Sequence, residues 1–280
     1  MALENKLGLT SSADLAREEE RLSKKKAVEL FENDVLDTLP AGKFSTLQAI
    51  HKYLFEDIYD FAGKLRTVNL AKGNFRFAPL MYLEAALANI GKMPQSTFDE
   101  IIGKYVEMNI AHPFREGNTR ATAVFMIKYM KTFGFRVNND AFEKNSWYFR
   151  NALVRANYTN LQKGVHATTK FLEMFFSNLL LGTEHELKNR YMHIDYVEES
   201  HPQSINSKIP KYQFNTLDCS LEELAVLELV AQNPAIKQQE LVTATGRSIA
   251  TVKRIMKSLQ DKNYIRRERG KRYGKWELLV

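Results

Sequence analysis

Nine consecutive residues, His112-Pro-Phe-Arg-Glu-Gly-Asn-Thr-Arg120, constrain this chain more than any other segment. Upstream, Ser96-Thr-Phe-Asp99 has the pattern of a capping box, and Phe98, Ile101, Ile102, Tyr105, Val106 and Ile110 recur at helical spacing up to Ala111. Pro113 cannot continue that helix. From Thr119, apolar residues Val124, Ile127, Tyr129, Met130 and Phe133 mark a second helix, and Gly134 stands where a C-cap is expected. The nine residues are therefore predicted to form a loop between two helices.

The placement sets the chemistry. The first backbone N–H groups of a helix are unpaired and carry the positive end of its dipole, so anions gather there. Gly117 lets the backbone approach a ligand and Asn118 tolerates unusual backbone angles; together they suggest a phosphate nest. Arg120 on the first turn can add a charge-assisted contact to a phosphate oxygen. Glu116 can hold a hard cation bridging two phosphates. His112 is then the nearby side chain able to accept a proton near neutral pH. A lone histidine at a helix end is usually structural, and Glu116 and Arg120 taken singly suit any solvated helix start. Their joint spacing argues for a site.

These residues resemble the signature of the Fic/Doc family, His-x-Phe-x-(Asp/Glu)-Gly-Asn-Gly-Arg with a second arginine following. Similarity extends to Ile50-His-Lys-Tyr-Leu-Phe-Glu-Asp-Ile-Tyr-Asp-Phe-Ala-Gly63 and Leu65-Arg-Thr-Val-Asn-Leu70, covering roughly residues 20 to 195. The resemblance implies transfer of AMP from ATP, with Mg²⁺, to a Ser, Thr or Tyr hydroxyl of a protein. His112 would then deprotonate the hydroxyl and Glu116 would ligate Mg²⁺. Gly117, Asn118, Thr119 and Arg120 would bind the nucleotide, and Phe114 would anchor the loop. Two positions depart from the signature: Thr119 replaces the second glycine and Ala123 the second arginine. They leave open a Fic enzyme that moves another phosphate-containing group, or a DNA-binding regulator with a nucleotide-sensing Fic domain.

Residues 65 to 79 give a hairpin signal, with β-branched and aromatic residues around Lys72-Gly73-Asn74. By the same resemblance this is a flap that holds the target by strand addition, through Leu65, Thr67, Val68, Asn69 and Leu70. Fic enzymes are commonly restrained by a helix bearing a glutamate. The nearest approach to its motif is Gly182-Thr-Glu-His-Glu-Leu-Lys-Asn189, with Glu186 as the inhibitory acid; an exposed charge is the competing reading.

After residue 195 the composition shifts. His201 to Pro210 is polar, carries two prolines and reads as a linker. Helix patterns follow at Ser220 to Gln232, Ile236 to Thr245 and from Ser248 to about Asn263, and then an alternating hairpin over Tyr264 to Leu279. Three helices and a wing resemble a winged helix-turn-helix. Residues 246 to 276 hold eleven lysines and arginines against two acids, a net of +9 in a chain of +7, so the remainder is near neutral. Ser248, Thr251, Lys253, Arg254 and Lys257 on the third helix, with Arg266, Arg267 and Arg269 on the wing, are expected to contact DNA. Docking to a protein is the alternative.

The 280 residues, 44% apolar, suffice for two cores. The expected fold is mainly α: a Fic-like helical core with a small β-hairpin flap over residues 1–200, a linker at 201–216 and a winged helix at 217–280. A single cysteine, Cys219, excludes an internal disulfide framework and fits a reducing compartment. The N-terminus lacks the pattern of a signal peptide and no apolar run approaches membrane-spanning length. A cytoplasmic protein is expected, with oligomeric state left open.

Overall fold

The computed structural model describes residues 2–33, 35–72, 75–137, 140–193, 218–268 and 274–280. Helices α1 (Ser12–Glu32) and α2 (Phe44–Phe55) come first, followed by strands β1 (Ala71–Lys72) and β2 (Phe75–Arg76). Helices α3 (Leu83–Lys92), α4 (Phe98–Ala111), α5 (Asn118–Lys131), α6 (Asp140–Lys144), α7 (Ser146–Asn157) and α8 (Lys170–Leu181) follow. After residue 217 come α9 (Leu221–Gln232), α10 (Gln238–Thr245), α11 (Ile249–Asp261), β3 (Ile265–Glu268) and β4 (Lys275–Leu278). The chain is mainly helical, as expected.

Residues group into two compact units, Met1–Met93 with Gly103–Tyr129, and Pro94–Ile102 with Met130–Val280. In the first, α1 packs on α2. Its core gathers Leu30, Leu47, Ile50, Leu54, Phe55, Ile58, Tyr59, Tyr105 and Phe114, all at most 1% exposed. Helix α5 departs from the expected one-sided pattern: every residue from Ala121 to Met130 is buried, Thr122 and Lys128 included. A helix buried all round has no single apolar stripe to read. The start of α4 is also shifted. Thr97 rather than Ser96 caps it, its Oγ1 accepting the Glu100 N–H at 3.3 Å while the Glu100 carboxylate accepts the Ser96 and Thr97 N–H groups at 2.7 and 3.0 Å. Glu100, not Asp99, has the reach to close the box.

In the second unit α7 packs on α8, and α8 on α9. Ser220 caps α9 in a reciprocal capping box with Glu223. Gly246 ends α10 at φ 66° and Ser248 caps α11 through the Thr251 N–H. Strands β3 and β4 pair antiparallel, Arg266 opposite Glu277 and Arg267 opposite Trp276. The backbone of this region meets residues before α4: the Leu221 N–H donates to the Ser96 carbonyl at 2.7 Å. Cys219 is buried, and burial pushes its thiol up to about 12, so it is inert near neutral pH. The expected linker, 201–216, lies outside the described residues. Among the described residues no helix is long and apolar enough to cross a membrane.

Candidate functional site

Helix α4 stops at Ala111 and α5 begins at Asn118, so the loop lies where the sequence pattern set it. His112 makes the turn. Its N–H donates to the Met108 carbonyl at 3.1 Å and its backbone adopts φ 45°, a left-handed angle that costs a non-glycine residue about 1–2 kcal/mol. Phe77 stacks on its imidazole, ring centroids 3.7 Å apart.

Arg66 offsets that cost. Its side chain is buried, and its guanidinium donates to the carbonyls of His112 (2.9 Å), Val68 (2.7 Å), Ala111 (3.3 Å) and Ala78, while its backbone N–H donates to the Pro113 carbonyl at 2.9 Å. A cation at a helix C-terminus satisfies its last carbonyls and suits its dipole. Burial lowers its pKa, since the charge is shared among neutral carbonyls rather than paired with an acid.

On the inner side of the loop, Phe114 is fully buried and stacks on His51, centroids 3.8 Å apart. The Asn118 side chain clasps the backbone of Phe114: its Oδ1 accepts the N–H at 2.9 Å and its Nδ2 donates to the carbonyl at 2.7 Å. That side chain is spent on the loop, leaving the backbone N–H groups of the α5 start for an anion. Gly117 has φ 74°, and a Cβ there would fall 2.4 Å from the Phe55 ring. The glycine is thus required by its angle and by Phe55 beneath it. Glu116 is exposed, with its Oε1 accepting the Gly117 N–H at 3.0 Å. A carboxylate oxygen already sits where an anion is expected.

Arg120 is placed differently from its expected role. Its guanidinium donates to the Glu19 carboxylate and to the Ser23 hydroxyl, 2.5 Å away, both on α1, and it covers the Phe55 ring at 5.4 Å. Glu19 is 5% exposed and also accepts the Tyr59 hydroxyl, whose pKa is raised by burial and by that bond. Thr119 is half-buried and Ala123 buried at 7% exposure.

The flap is smaller than the sequence suggested. Among the described residues of 65–79, Ala71–Lys72 and Phe75–Arg76 are the stretches that pair as strands. Leu65, Thr67, Val68, Asn69 and Leu70 form no strand. Instead Asn69 Oδ1 accepts the Leu80 N–H at 2.7 Å, and Val68 is exposed beside the bonds of Arg66. Glu186 stands in the non-helical segment 182–188, exposed, accepting from Lys188 and from the Tyr191 hydroxyl at 2.9 Å, which lower its pKa.

On the winged helix, Lys253 and Lys257 are exposed along α11. Ser248 spends its oxygen on the cap and lies 3.0 Å from the Thr251 hydroxyl. Arg254 lies 3.9 Å from Glu222 on α9, Arg266 pairs with Glu277, and Arg267 covers Trp276 at 4.9 Å. Arg269 lies outside the described residues. His51, Glu19, Arg66 and Phe77 are contributors that sequence reasoning did not single out. For His51 the available signal was an ionisable residue between Ile50 and Leu54 on an apolar helical face; for Arg66 it was a cation inside a β-branched run.

Residues 43–130 match the model of the Fic/DOC family, and residues 219–272 that of the MarR family. The chain is 27% identical over 252 residues to protein adenylyltransferase VbhT of Bartonella schoenbuchensis, covering 85% of this chain and 51% of that protein. It is 28% identical over 141 residues to the probable protein adenylyltransferase y4lH of Sinorhizobium fredii, covering 45% of this chain and 72% of that protein. The chain thus spans about half the length of VbhT. Among solved structures, the N-terminal FIC domain of Bep8 from Bartonella sp. 1-1C superposes with a TM-score of 0.51 at 18% identity, covering 64% of this chain and 90% of that one, a likeness of fold. The chain carries a Fic/DOC family domain and, at its C-terminus, a MarR family winged-helix domain.

Proposed function

We propose that this protein transfers AMP from ATP to a Ser, Thr or Tyr hydroxyl of a protein target. The observation that carries the reading is the loop itself: a histidine fixed at the end of α4 beside the N-terminus of α5, with Gly117 N–H already holding a carboxylate oxygen. The names of the relatives, protein adenylyltransferases, support the same chemistry.

In the proposed step the target hydroxyl oxygen attacks the α-phosphorus of ATP and the bond to the β-phosphate bridging oxygen breaks. Pyrophosphate leaves, and the hydroxyl proton passes to His112. The backbone at Gly117, Asn118 and Thr119 cradles the phosphates. The exposed edge at Val68, tied to His112 through Arg66, presents the target segment. No three His, Cys, Asp or Glu side chains gather into a metal cage among the described residues. Mg²⁺ needs none when held by one carboxylate and substrate phosphates, and exposed Glu116 at the loop meets that requirement. Bound there, Mg²⁺ supplies charge neutralisation on the phosphates.

We further propose that residues 217–280 act as a DNA-binding domain behind a linker at 201–216, a reading favoured by Lys253 and Lys257 exposed along α11. Incubating the full chain with labelled ATP, Mg²⁺ and cell lysate, then locating adducts by mass spectrometry, tests the transferase. His112→Ala should lower labelling by ~10²–10⁴-fold while nucleotide binding persists. Wild-type labelling in that variant overturns the mechanism, and label carried from another nucleotide in place of ATP overturns the donor.

A further inference from the structure

His51 is 0% exposed, on α2, with both ring nitrogens engaged. The Gly63 N–H reaches Nδ1 at 2.8 Å, and Nε2 lies 2.9 Å from the Glu116 carbonyl oxygen. A peptide N–H only donates, so Nδ1 is the acceptor and the proton resides on Nε2, which donates to Glu116. Burial pushes the imidazole down to about 4, against a smaller opposing effect of the Glu116 bond, and the ring is neutral at working pH.

The carbonyl of Glu116 and the N–H of Gly117 belong to one trans peptide and point in opposite directions. Drawing the carbonyl inward to His51 turns the N–H outward, toward the Glu116 carboxylate that now caps it. Gly117 imposes no such choice by itself, because a glycine peptide rotates readily. Turned the other way, the same peptide would present a carbonyl oxygen to the loop mouth and repel an anion.

We propose that His51 is a positioning residue of the anion cradle, its Nε2–H holding the Glu116 carbonyl so that the Gly117 N–H faces a nucleotide phosphate. The inference rests on the nucleotide-binding reading only for the identity of the anion. It differs from a packing role, which would require the ring but not the direction of its bonds.

Two substitutions separate these roles in the full chain. Asparagine at position 51 can keep an acceptor near Nδ1 for Gly63 and loses the donor to Glu116. Glutamine can keep a donor near Nε2 and loses the acceptor. Both remove the stacked ring. By calorimetry with Mg·ATP, His51→Asn should weaken binding about tenfold or more, the worth of a hydrogen bond to a charged group, while His51→Gln stays within about threefold of wild type. Equal affinities in the two variants overturn the proposal. Wild-type protein that binds no Mg·ATP overturns the nucleotide reading instead. In that case the Gly117 amide signal, titrated with inorganic pyrophosphate, should shift in wild type and in His51→Gln but not in His51→Asn, and a common response overturns the proposal. If the asparagine variant does not fold, ¹⁵N spectra of the wild-type histidine rings decide: the neutral Nε2–H tautomer at pH 6 supports the assignment, and Nδ1–H overturns it.

Discussion

Arg120 and Glu19 are bound to each other, so the first turn of α5 is fastened to α1 by an ion pair with Ser23 and Tyr59 as additional partners. The pair is unequal: the Glu19 side chain is 6% exposed and that of Arg120 39%. Removing the cation strands a buried carboxylate, whereas neutralising the acid leaves a guanidinium that water can reach. Arg120→Met should therefore cost ~2–3 kcal/mol, below the figure for a fully buried pair because of solvent screening, and Glu19→Gln should cost less. Urea unfolding of both variants and of the double variant measures this. Strictly additive losses would show that the two groups are not coupled.

Arg66 joins Val68 and Ala78 of the flap to Ala111 and His112 at the end of α4 through one planar group. A lysine cannot span four carbonyls laid out for a guanidinium. Arg66→Lys should lower stability by ~2–4 kcal/mol by leaving carbonyls unsatisfied. It should also speed amide exchange through residues 67–72 and 75–79 and cut labelling of a protein target, with Mg·ATP affinity retained. Unchanged exchange across both segments would mean the flap is held by other contacts.

Glu228 on α9 titrates near neutrality: burial pushes its carboxyl up to about 7, with Arg136 opposing. A carboxyl raised in the folded state favours folding below its unfolded pKa, near 4.5, and that contribution is lost as pH rises through about 7. Glu228→Gln, which keeps an oxygen for the Gln232 amide now 3.1 Å away, should thus stabilise the protein by ~2 kcal/mol at pH 8 and have little effect at pH 4.5. Melting temperatures across that range test it. A pH-independent difference between variant and wild type would mean that folding leaves the Glu228 carboxyl unshifted.

The helices flanking the loop were legible because Pro113 and the apolar spacing of α4 are local signals, and the winged helix because Ser220, Gly246 and Ser248 punctuate it. What the sequence did not disclose are partners distant along the chain. Arg120 looked free to meet phosphate until Glu19, 101 residues away, appeared beside it. His51 acts on Glu116 across 65 residues and Arg66 on His112 across 46. The β-branched residues at 65–70 suit a pleat, yet no strand forms there: the Val68 carbonyl accepts from the Arg66 guanidinium, and the Asn69 side chain accepts from the Leu80 N–H.

The basic face of the winged helix divides by what each cation already touches. Lys253 and Lys257 stand exposed on α11, whereas Arg254 faces Glu222 and Arg266 is paired with Glu277. Phosphate contacts release counterions, so binding of the full chain to duplex DNA should fall steeply with salt, by about 0.9 log units in affinity per log unit of salt for each contact. Lys253→Gln and Lys257→Gln should each reduce that slope by about one contact, and Arg266→Gln by less, since its charge is offset across the strand pair. Ser248→Ala should chiefly cost ~1 kcal/mol of stability through loss of the α11 cap. Gel-shift titrations at several salt concentrations measure the slopes. Absence of binding at low salt would reassign the face to a protein partner, and equal slopes for the Lys253 and Arg266 variants would show that the intramolecular pair with Glu277 does not persist on DNA.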